Sequence, residues 1–501
     1  MIQKQSYAAV NIARPTLDNV PVEYRDRIDD LFDTWSNVKT RNQTLRNYYE
    51  QHIKVKNLGI SIPPQLEMVE TVSGWCAKAV QTHAMRSIFD GYVFAGQSDT
   101  KLDGLVRANR LRSLYQQAVS ASLVYGVSFL TVMAGQGNQP TAKVRLFSAN
   151  QACATWDKDA DRIGCGVVLA DVDRSGNPIR YVVHMPDCVL TLTKVESPGS
   201  NQWTCAKENN PYGAPLMVPI IHDPDPDRPL GHSMLTPELL GIVDKAMRDV
   251  LRMEIGAEFF TAPQRYILGA ADDLFAAPDG GGDEETYYDQ DGNEIDAPAA
   301  TAQADAAKLK AYYGALWAIT RDEDGELPQV GEFSAPGAAN FTQVFENDAQ
   351  RFSGATNVPL SQLGVLSNTY TSSDALGAAN DPLILEVETM NRRNAEAMED
   401  VARMMMCVSE STTVAKLGDK AWTVQAYMKD PSKSTFAANA DAWVKIGSTD
   451  ESIVGTDVWY EGVGFSQPTI QRIEANKQQT DATATLGVIA GLLAPTDKQA
   501  E

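Results

Sequence analysis

Histidine is scarce in this sequence and is absent from every motif in which it usually performs chemistry. Only five histidines occur among 501 residues. None lies in H-E-x-x-H or accompanies G-x-S-x-G, and none is spaced with cysteines as a zinc site requires. We therefore expect each to be a hydrogen-bonded surface or core residue. The chain also lacks a G-x-x-x-x-G-K-[ST] loop and a G-x-G-x-x-G after a strand, which disfavours nucleotide hydrolysis.

Paired cysteines and long apolar runs are missing as well. The six cysteines lie far apart and form no C-x-x-C pair, so we expect reduced, mostly buried thiols in a cytosol-like compartment. The N-terminus has no continuous apolar segment, and the longest late apolar run, "LGVIAGLLA", is about half a membrane span. The sequence predicts neither a signal peptide nor a membrane-spanning helix.

Positive charge is in short supply. The chain has 43 basic and 65 acidic residues, a formal net charge of -22. Such a charge repels phosphate backbones at long range, which excludes tight nonspecific nucleic-acid binding through a basic face of the whole chain. It does not exclude contact with DNA that slides.

The remaining composition, 43% hydrophobic and 22% charged, is typical of a globular protein of several packed units. Near the N-terminus, "VEYRDRIDDLFDTWSNV" predicts an amphipathic helix whose apolar face meets a partner. That face comprises Tyr24, Ile28, Leu31, Phe32 and Trp35. A second helix is expected to end at Asp90-Gly91, and a third to change to strand at Gly126. Short β-branched runs over residues 143–221 predict an antiparallel α+β unit.

A long helix is predicted from Thr236, which can cap it, with Pro237 in the first turn. The pairs Asp244–Arg248 and Lys245–Asp249 are spaced for i,i+4 contacts along it. An acidic, Gly-rich region follows at 272–305, with tight turns at Asp291-Gly292 and Asp324-Gly325. Helices are expected again at 340–356 and at 373–408, the latter kinked by Pro382.

Two acidic strings have carboxylates spaced partly as in calcium loops. "DPDPD" places Asp223, Asp225 and Asp227 at alternate positions, but Arg228 stands where a calcium loop needs glycine. A proline-stiffened connector is the better interpretation. "DQDGNEID" fits a hairpin tip better than a calcium loop, and the methionines of "RMMMC" fit core filling better than metal binding.

The stretch "NVPLSQLGVLSNTYTSSDALGAAN", residues 357–380, is rich in hydroxyl and amide groups. It contains no lysine, arginine or histidine, and nothing basic occurs between Arg351 and Arg392. Its serines therefore have no local base that could activate a nucleophile. A phosphate-binding role is equally unsupported.

Several short motifs, taken in order, resemble one known family. They are "RNYYEQH", "LVYGVSFLTV", "VPII" and "GHS" before the long helix, "APQRYILG" after it, and "NVPLSQLG" followed by "SSDAL". Together they resemble the portal proteins of tailed bacteriophages, the group of long-tailed, siphophage-type phages. The resemblance covers roughly residues 25–480.

The resemblance implies an α+β portal fold with an α/β wing, a two-helix stem, a β-containing clip, a kinked helix with a tunnel loop, and a helical crown. The implied regions are an N-terminal arm and wing (1–234), stem helix 1 (235–262), clip (263–337), stem helix 2 (338–357), tunnel loop (358–373), kinked helix and wing return strand (374–433), crown (434–480) and a flexible tail (481–501).

It also implies a non-enzymatic ring, usually of twelve subunits, at one capsid vertex of the virion, assembled in the bacterial host cytoplasm. Double-stranded DNA would pass through its channel without sequence specificity and without a cofactor. The implied partners are the terminase large subunit, a head-tail adaptor, and the major capsid and scaffolding proteins. The residues expected to touch the DNA are Val365, Leu366, Ser367, Asn368, Thr369 and Tyr370.

Two alternatives stay open at this point. One is a metal-dependent hydrolase or nuclease that uses the Asp-rich strings, which predicts metal-dependent activity lost when Asp223, Asp225 and Asp227 become alanine. The other is a capsid-associated scaffold protein without a channel.

Overall fold

The structure is a computed structural model. It describes residues 12–53, 73–94, 100–195, 202–210, 212–261, 265–268, 287–288, 294–295, 329–332, 338–365, 377–432, 436–465, 469–470 and 472–477. The chain divides into two compact units, Met1–Lys429 and Asp430–Glu501.

The described chain mixes helices with antiparallel strands. The helices are α1 (Val22–Tyr49), α2 (Trp75–Ala84), α3 (Thr100–Ala108), α4 (Leu111–Tyr125), α5 (Pro237–Thr261), α6 (Ala338–Thr356), α7 (Asp381–Glu410), α8 (Val414–Leu417), α9 (Lys420–Thr423), α10 (Phe436–Thr449) and α11 (Asp457–Val463). The strands are β1 (Phe89–Phe94), β2 (Val127–Ala134), β3 (Ala142–Ser148), β4 (Ala152–Asp157), β5 (Arg162–Val172), β6 (Pro178–His184), β7 (Cys188–Lys194), β8 (Trp203–Asn209), β9 (Met217–Ile221), β10 (Arg265–Leu268), β11 (Tyr287–Tyr288), β12 (Glu294–Ile295), β13 (Gln329–Glu332) and β14 (Val424–Met428).

A five-stranded antiparallel sheet, in the order β4-β5-β6-β7-β8, carries α1 on one face. The predicted apolar face of α1 is confirmed, since Ile28, Leu31 and Trp35 are fully buried. The expectation that this face meets a partner was wrong. It packs on the chain's own sheet, with the Phe32 ring edge-on to Tyr181 at 5.1 Å between centroids.

The other face of this sheet packs on a second sheet of three strands, in the order β3-β2-β9. Because both faces are covered, successive residues of β6, Tyr181, Val182 and Val183, are all buried. This explains why the strands are apolar runs rather than alternating ones. The antiparallel unit predicted for residues 143–221 is confirmed.

The third and largest core joins α2, α4, α5, α6 and α7 beside β1 and β14. Met404, Met405 and Met406 are buried in it, so the prediction that they fill the core is confirmed. All six cysteines are free, and all but Cys205 are buried.

The end of α2 differs from the prediction. The helix stops at Ala84, and Asp90 and Gly91 lie inside β1 rather than at a helix end. β1 pairs antiparallel with β14, with an irregularity between Phe89 and Gly91. The change from helix to strand at Gly126 is confirmed, and its backbone has a positive φ of 100°.

The helix predicted from Thr236 is confirmed as α5, and the Thr236 hydroxyl accepts a hydrogen bond from the Leu239 N–H at 3.4 Å. Asp291 and Gly292 lie outside the described residues, but β11 pairs with β12 on either side of them. The Asp324-Gly325 turn lies outside the described residues, but β10 pairs with β13 around that region.

The predicted kink at Pro382 stays a prediction, because residues 371–376 lie outside the described residues; residues 377–378 are helical and a turn follows at 379–380. α7 begins at Asp381, and Pro382 lies in its first turn. Proline costs little there because the first backbone N–H groups of a helix have no partner inside the helix. Beyond it, α7 runs for 30 residues.

The second unit contains α10 and α11, which pack closely. A Cβ added at Gly462 would lie 1.9 Å from the Trp443 ring, so only glycine fits there. The Thr456 hydroxyl caps α11 by accepting from the Trp459 N–H at 3.3 Å.

Among the described helices, none combines the length and the apolar character that a membrane crossing requires.

Candidate functional site

The predicted channel residues lie between the 3-10 turn Leu360–Gln362 and α7. Val365 is described, and its half-buried side chain packs against the large core. Leu366, Ser367, Asn368, Thr369 and Tyr370 lie outside the described residues. The structure therefore shows the base of this loop, meaning residues 357–365 on one side and 377–387 on the other.

Helix α6 ends at the base for local reasons. Asn357 has a left-handed backbone with φ 54°, a conformation that asparagine tolerates after a helix, and Pro359 cannot continue the helix. The Thr356 hydroxyl donates to the Phe352 carbonyl at 2.7 Å. Val358 is fully buried, which anchors the chain as it leaves the helix.

The end of α2 touches both sides of the base. The Thr82 hydroxyl donates to the Gln362 amide oxygen at 3.2 Å, ahead of the loop. Arg86 donates to the Asn380 side-chain oxygen at 3.2 Å, behind the loop. The last turn of α2 and the turn directly after it thus bond to chain on either side of the predicted channel residues.

His83, between those two residues, faces Glu386 on α7. Its Nδ1 lies 2.9 Å from the Ala79 carbonyl oxygen, so this nitrogen carries a proton. Its Nε2 lies 3.3 Å from the Glu386 carboxylate, which also accepts from the Asn357 amide at 2.9 Å. The His83 and Glu386 side chains thus lie at ion-pair distance.

Neighbouring groups stabilise the ionised form of the Glu386 side chain. Burial alone would raise the pKa of this carboxyl, but its interactions with His83, Asn357 and His222 outweigh burial and lower the pKa below its ordinary value. Glu386 is therefore ionised near neutral pH. It links α2, α7 and the end of α6 through a single side chain.

A buried polar network continues this contact along α7. The Ser87 hydroxyl donates to the Asn391 side-chain oxygen at 2.6 Å and lies 2.7 Å from the Tyr115 hydroxyl. Asn394 donates to the same Tyr115 oxygen at 3.0 Å. The Tyr92 hydroxyl then donates to the Met398 carbonyl at 2.8 Å. Residues 82–92 and the first half of α7 are thus joined by a row of polar contacts.

Charge also lies buried between α5 and α6. The Lys245 ammonium is 2.6 Å from an Asp348 carboxylate oxygen and 3.4 Å from Asp249, and Arg252 donates to Asp249 at 2.9 Å. The Asp348 side chain is only 1% exposed. The predicted Lys245–Asp249 pair is confirmed, whereas Asp244 accepts from the Tyr48 hydroxyl at 2.6 Å.

The acidic string at Asp223, Asp225 and Asp227 forms a turn. Asp225 accepts from the backbone N–H groups of Asp227 and Arg228 at 2.8 and 2.7 Å and lies 2.6 Å from His232 Nε2. These contacts support the connector interpretation. In the part of the chain that the structure describes, no three histidine, cysteine, aspartate or glutamate side chains gather as metal ligands would.

One histidine departs from the expectation that each is hydrogen-bonded. His184 is fully buried on β6, and neither of its ring nitrogens has a hydrogen-bond partner among the described residues. His83 bonds through Nδ1 and meets Glu386 only at ion-pair distance.

Sequence reasoning missed the polar row between residues 82–92 and α7. The available signal was the pair Asn391 and Asn394, which falls on the buried face of α7 together with Leu383, Val387 and Met398. Asparagine on an apolar helix face needs a buried partner.

Comparison with known proteins agrees with this architecture. The family described as "Phage portal protein, SPP1 Gp6-like" matches residues 28–450. The portal protein of Mycobacterium phage L5 is 24% identical over 488 residues, covering 94% of this chain and 90% of that protein. The portal protein of Mycobacterium phage D29 is 24% identical over 471 residues, covering 90% and 88%.

Solved structures give looser similarities. A chain in the "Virion of native gene transfer agent (GTA) particle" is 14% identical with a TM-score of 0.41, and one in the "Neck of native GTA particle computed with C12 symmetry" is 11% identical with a TM-score of 0.42. Each covers 78% of this chain and 90% of the other.

The family match spans most of the chain, and both mycobacteriophage relatives align over nearly their whole lengths. The hydrolase alternative has no such support. The chain belongs to the SPP1 Gp6-like family of phage portal proteins.

Proposed function

We propose that copies of this chain close into a ring of about twelve subunits at one vertex of the phage capsid. Double-stranded DNA passes through the ring during packaging and ejection. The observation that carries this proposal is the portal family match over residues 28–450. The role is structural, and a separate terminase supplies the ATP hydrolysis.

The order of elements supports an assignment of regions. α5 and α6 pack against each other and flank the excursion at 262–337, so we assign them as the stem pair and the excursion as the clip. β14 follows α7 and returns to β1, which suits a wing return strand. α10 and α11 form the second unit, which we assign to the crown.

The channel is passive in this proposal. A net charge of -22 per chain discourages DNA from adhering to the ring. The proposed tunnel loop has no cation that could hold a phosphate, since no basic residue occurs between Arg351 and Arg392. Neutral contacts from residues 365–370 would let the duplex slide.

The clip is the proposed docking surface, first for the terminase large subunit and later for a head-tail adaptor. The major capsid and scaffolding proteins would surround the ring at the vertex of the virion. Assembly of the ring would take place in the cytoplasm of the bacterial host.

The oligomeric state tests the central proposal. Negative-stain microscopy of the purified chain should show rings with a central hole, and native mass measurement should give about twelve times 54.6 kDa. A monomer or dimer at every salt concentration would contradict the proposal.

The loop assignment has its own test. Asn368→Lys with Thr369→Lys should slow DNA packaging, because each added cation can bind passing phosphates. Asn138→Lys with Ser175→Lys adds the same charge on exposed turns of the sheets and serves as the control. Equal packaging by both double variants would argue against close contact between residues 365–370 and the duplex.

A further inference from the structure

We propose that Thr82, His83, Arg86 and Ser87, which we call the α2 clasp, position both sides of the loop base relative to each other. The biological meaning of this positioning rests on the proposed function of the loop. The positioning itself does not, because its contacts involve only the loop base, residues 357–365 and 377–387, together with Asn391, and these can be observed without DNA.

The clasp bonds to both sides of the base across a very large sequence separation. Thr82 reaches Gln362 ahead of the loop, 280 residues away, and Arg86 reaches Asn380 behind it, 294 residues away. The chain before the loop and the chain after it are thereby bonded to the last turn of α2 and the turn directly after it. The distance between the two ends of the loop is then set by α2.

Polar contacts give this arrangement a unique register. Helix α7 packs mainly on β14, β2 and β9, and its contacts with residues 82–92 are polar ones that match a single register of the helix. A slip would separate His83 from Glu386 and Ser87 from Asn391, and it would leave buried groups without partners. The polar row therefore selects a single position of α7.

Glu386, on α7 after the loop, connects to the chain before the loop. Its carboxylate accepts from Asn357, ahead of the loop, and faces His83 on the clasp. The titratable groups around it are His83 from α2 and His222 from the loop after β9. His222 in turn interacts with Asp223 and with Arg393 of α7. Loss of the Glu386 charge would weaken both contacts at once.

Hydrogen exchange of the full-length protein in its native assembly tests the positioning. In His83→Leu and in Glu386→Gln, amides of residues 357–365 and 380–391 should exchange at least about tenfold faster, while amides of β5 to β7 stay unchanged. Arg180→Ala removes the exposed Arg180–Asp171 ion pair and is the control. Unchanged exchange at the base in both variants would overturn the proposal.

A pH profile separates positioning from general packing. The folded pKa of Glu386 is lowered, so its contribution is present at neutral pH and is lost as pH falls through that lowered pKa. Protection of the base should show this step in the wild type and lack it in Glu386→Gln. The same step in both proteins would show that Glu386 does not hold the base.

Packaging assays on the same variants decide the biological meaning. Faster exchange at the base together with slower packaging supports both proposals. Faster exchange with normal packaging would leave the clasp established as a positioning element and would refute the role of the loop in DNA passage. Since Glu386→Gln keeps an oxygen for Asn357, it remains informative where His83→Leu fails to fold.

Discussion

His184 is a buried histidine without hydrogen bonds to its ring nitrogens among the described residues. Burial lowers its pKa to about 4. The unfolded chain binds a proton near pH 6.5 and the folded chain does not, so the folded state loses stability as pH falls between these values.

His184→Leu should remove this pH dependence. From pH 7 to pH 5 we expect the wild type to lose about 2 kcal/mol more unfolding free energy than the variant, because only the wild type binds this proton on unfolding. At pH 7 the variant should be as stable as the wild type or more so. Urea unfolding at the two pH values measures both. His52→Leu, at an exposed histidine, is the control, and an equal loss in His184→Leu and wild type would contradict the argument.

Residue contacts differ in whether the sequence can predict them. The buried face of α1 follows from local spacing, since Ile28, Leu31 and Trp35 recur at three and four residues. The His83–Glu386 contact follows from nothing local, because the two residues are about 300 positions apart and each is an ordinary polar residue in its own window. Only the fold brings them together.

At the scale of elements, the α5–α6 pair depends on a buried charge cluster. Lys245→Met should destabilise the protein by about 2–3 kcal/mol, because Asp348 stays buried without its cation. This expected loss of stability is smaller than for a fully buried ion pair, because the Lys245 side chain is 40% exposed and solvent screens its charge. Denaturant unfolding followed by circular dichroism measures the change.

The double variant Lys245→Met with Asp348→Leu distinguishes the effect of the buried charge from an effect of packing. It should recover most of the loss, because no uncompensated carboxylate remains between the helices. Lys445→Met removes an exposed pair with Asp441 and should change stability by less than about 0.5 kcal/mol. A double variant as unstable as the single one would show that Lys245 acts through packing.

Helix α7 gives a second element-level prediction. Pro382→Ala should change the free energy of unfolding by less than about 1 kcal/mol, because Pro382 occupies the first turn. Ala395→Pro, in the middle of the same helix, should cost about 3 kcal/mol or more. Thermal unfolding of the two variants checks this contrast, and a large loss in Pro382→Ala would favour a kink.

A kink at Pro382 and a helix start at Pro382 are difficult to tell apart from the sequence. Proline is compatible with a kinked helix interior and with a first turn, and the helix-forming residues before it, "SDALGAAN", favoured the former. Neighbouring residues cannot decide between them. Asn380, directly before α7, accepts a hydrogen bond from Arg86, which lies 294 residues earlier in the chain.

At the scale of the whole molecule, each subunit that joins a ring carries a net charge of -22, so neighbouring subunits repel one another. Assembly should therefore be favoured by salt, which screens repulsion between subunits. We expect the fraction of chain in rings to rise several-fold from about 0.05 to about 0.5 M NaCl, measured by sedimentation velocity. Sucrose of equal osmolality is the control. Rings that dissociate in salt would indicate interfaces held by opposite charges.

The row of contacts between residues 82–92 and α7 also bears on how the chain is made. Ser87 precedes Asn391 by 304 residues, and ribosomes add about 5–20 residues per second. The N-terminal part therefore waits roughly 15–60 s before α7 is synthesised. During that interval β1 has no β14 to pair with and presents an open strand edge. Nascent chains are thus exposed to aggregation until translation is nearly complete, and any fragment ending before β14, at residue 424, keeps this open strand edge permanently.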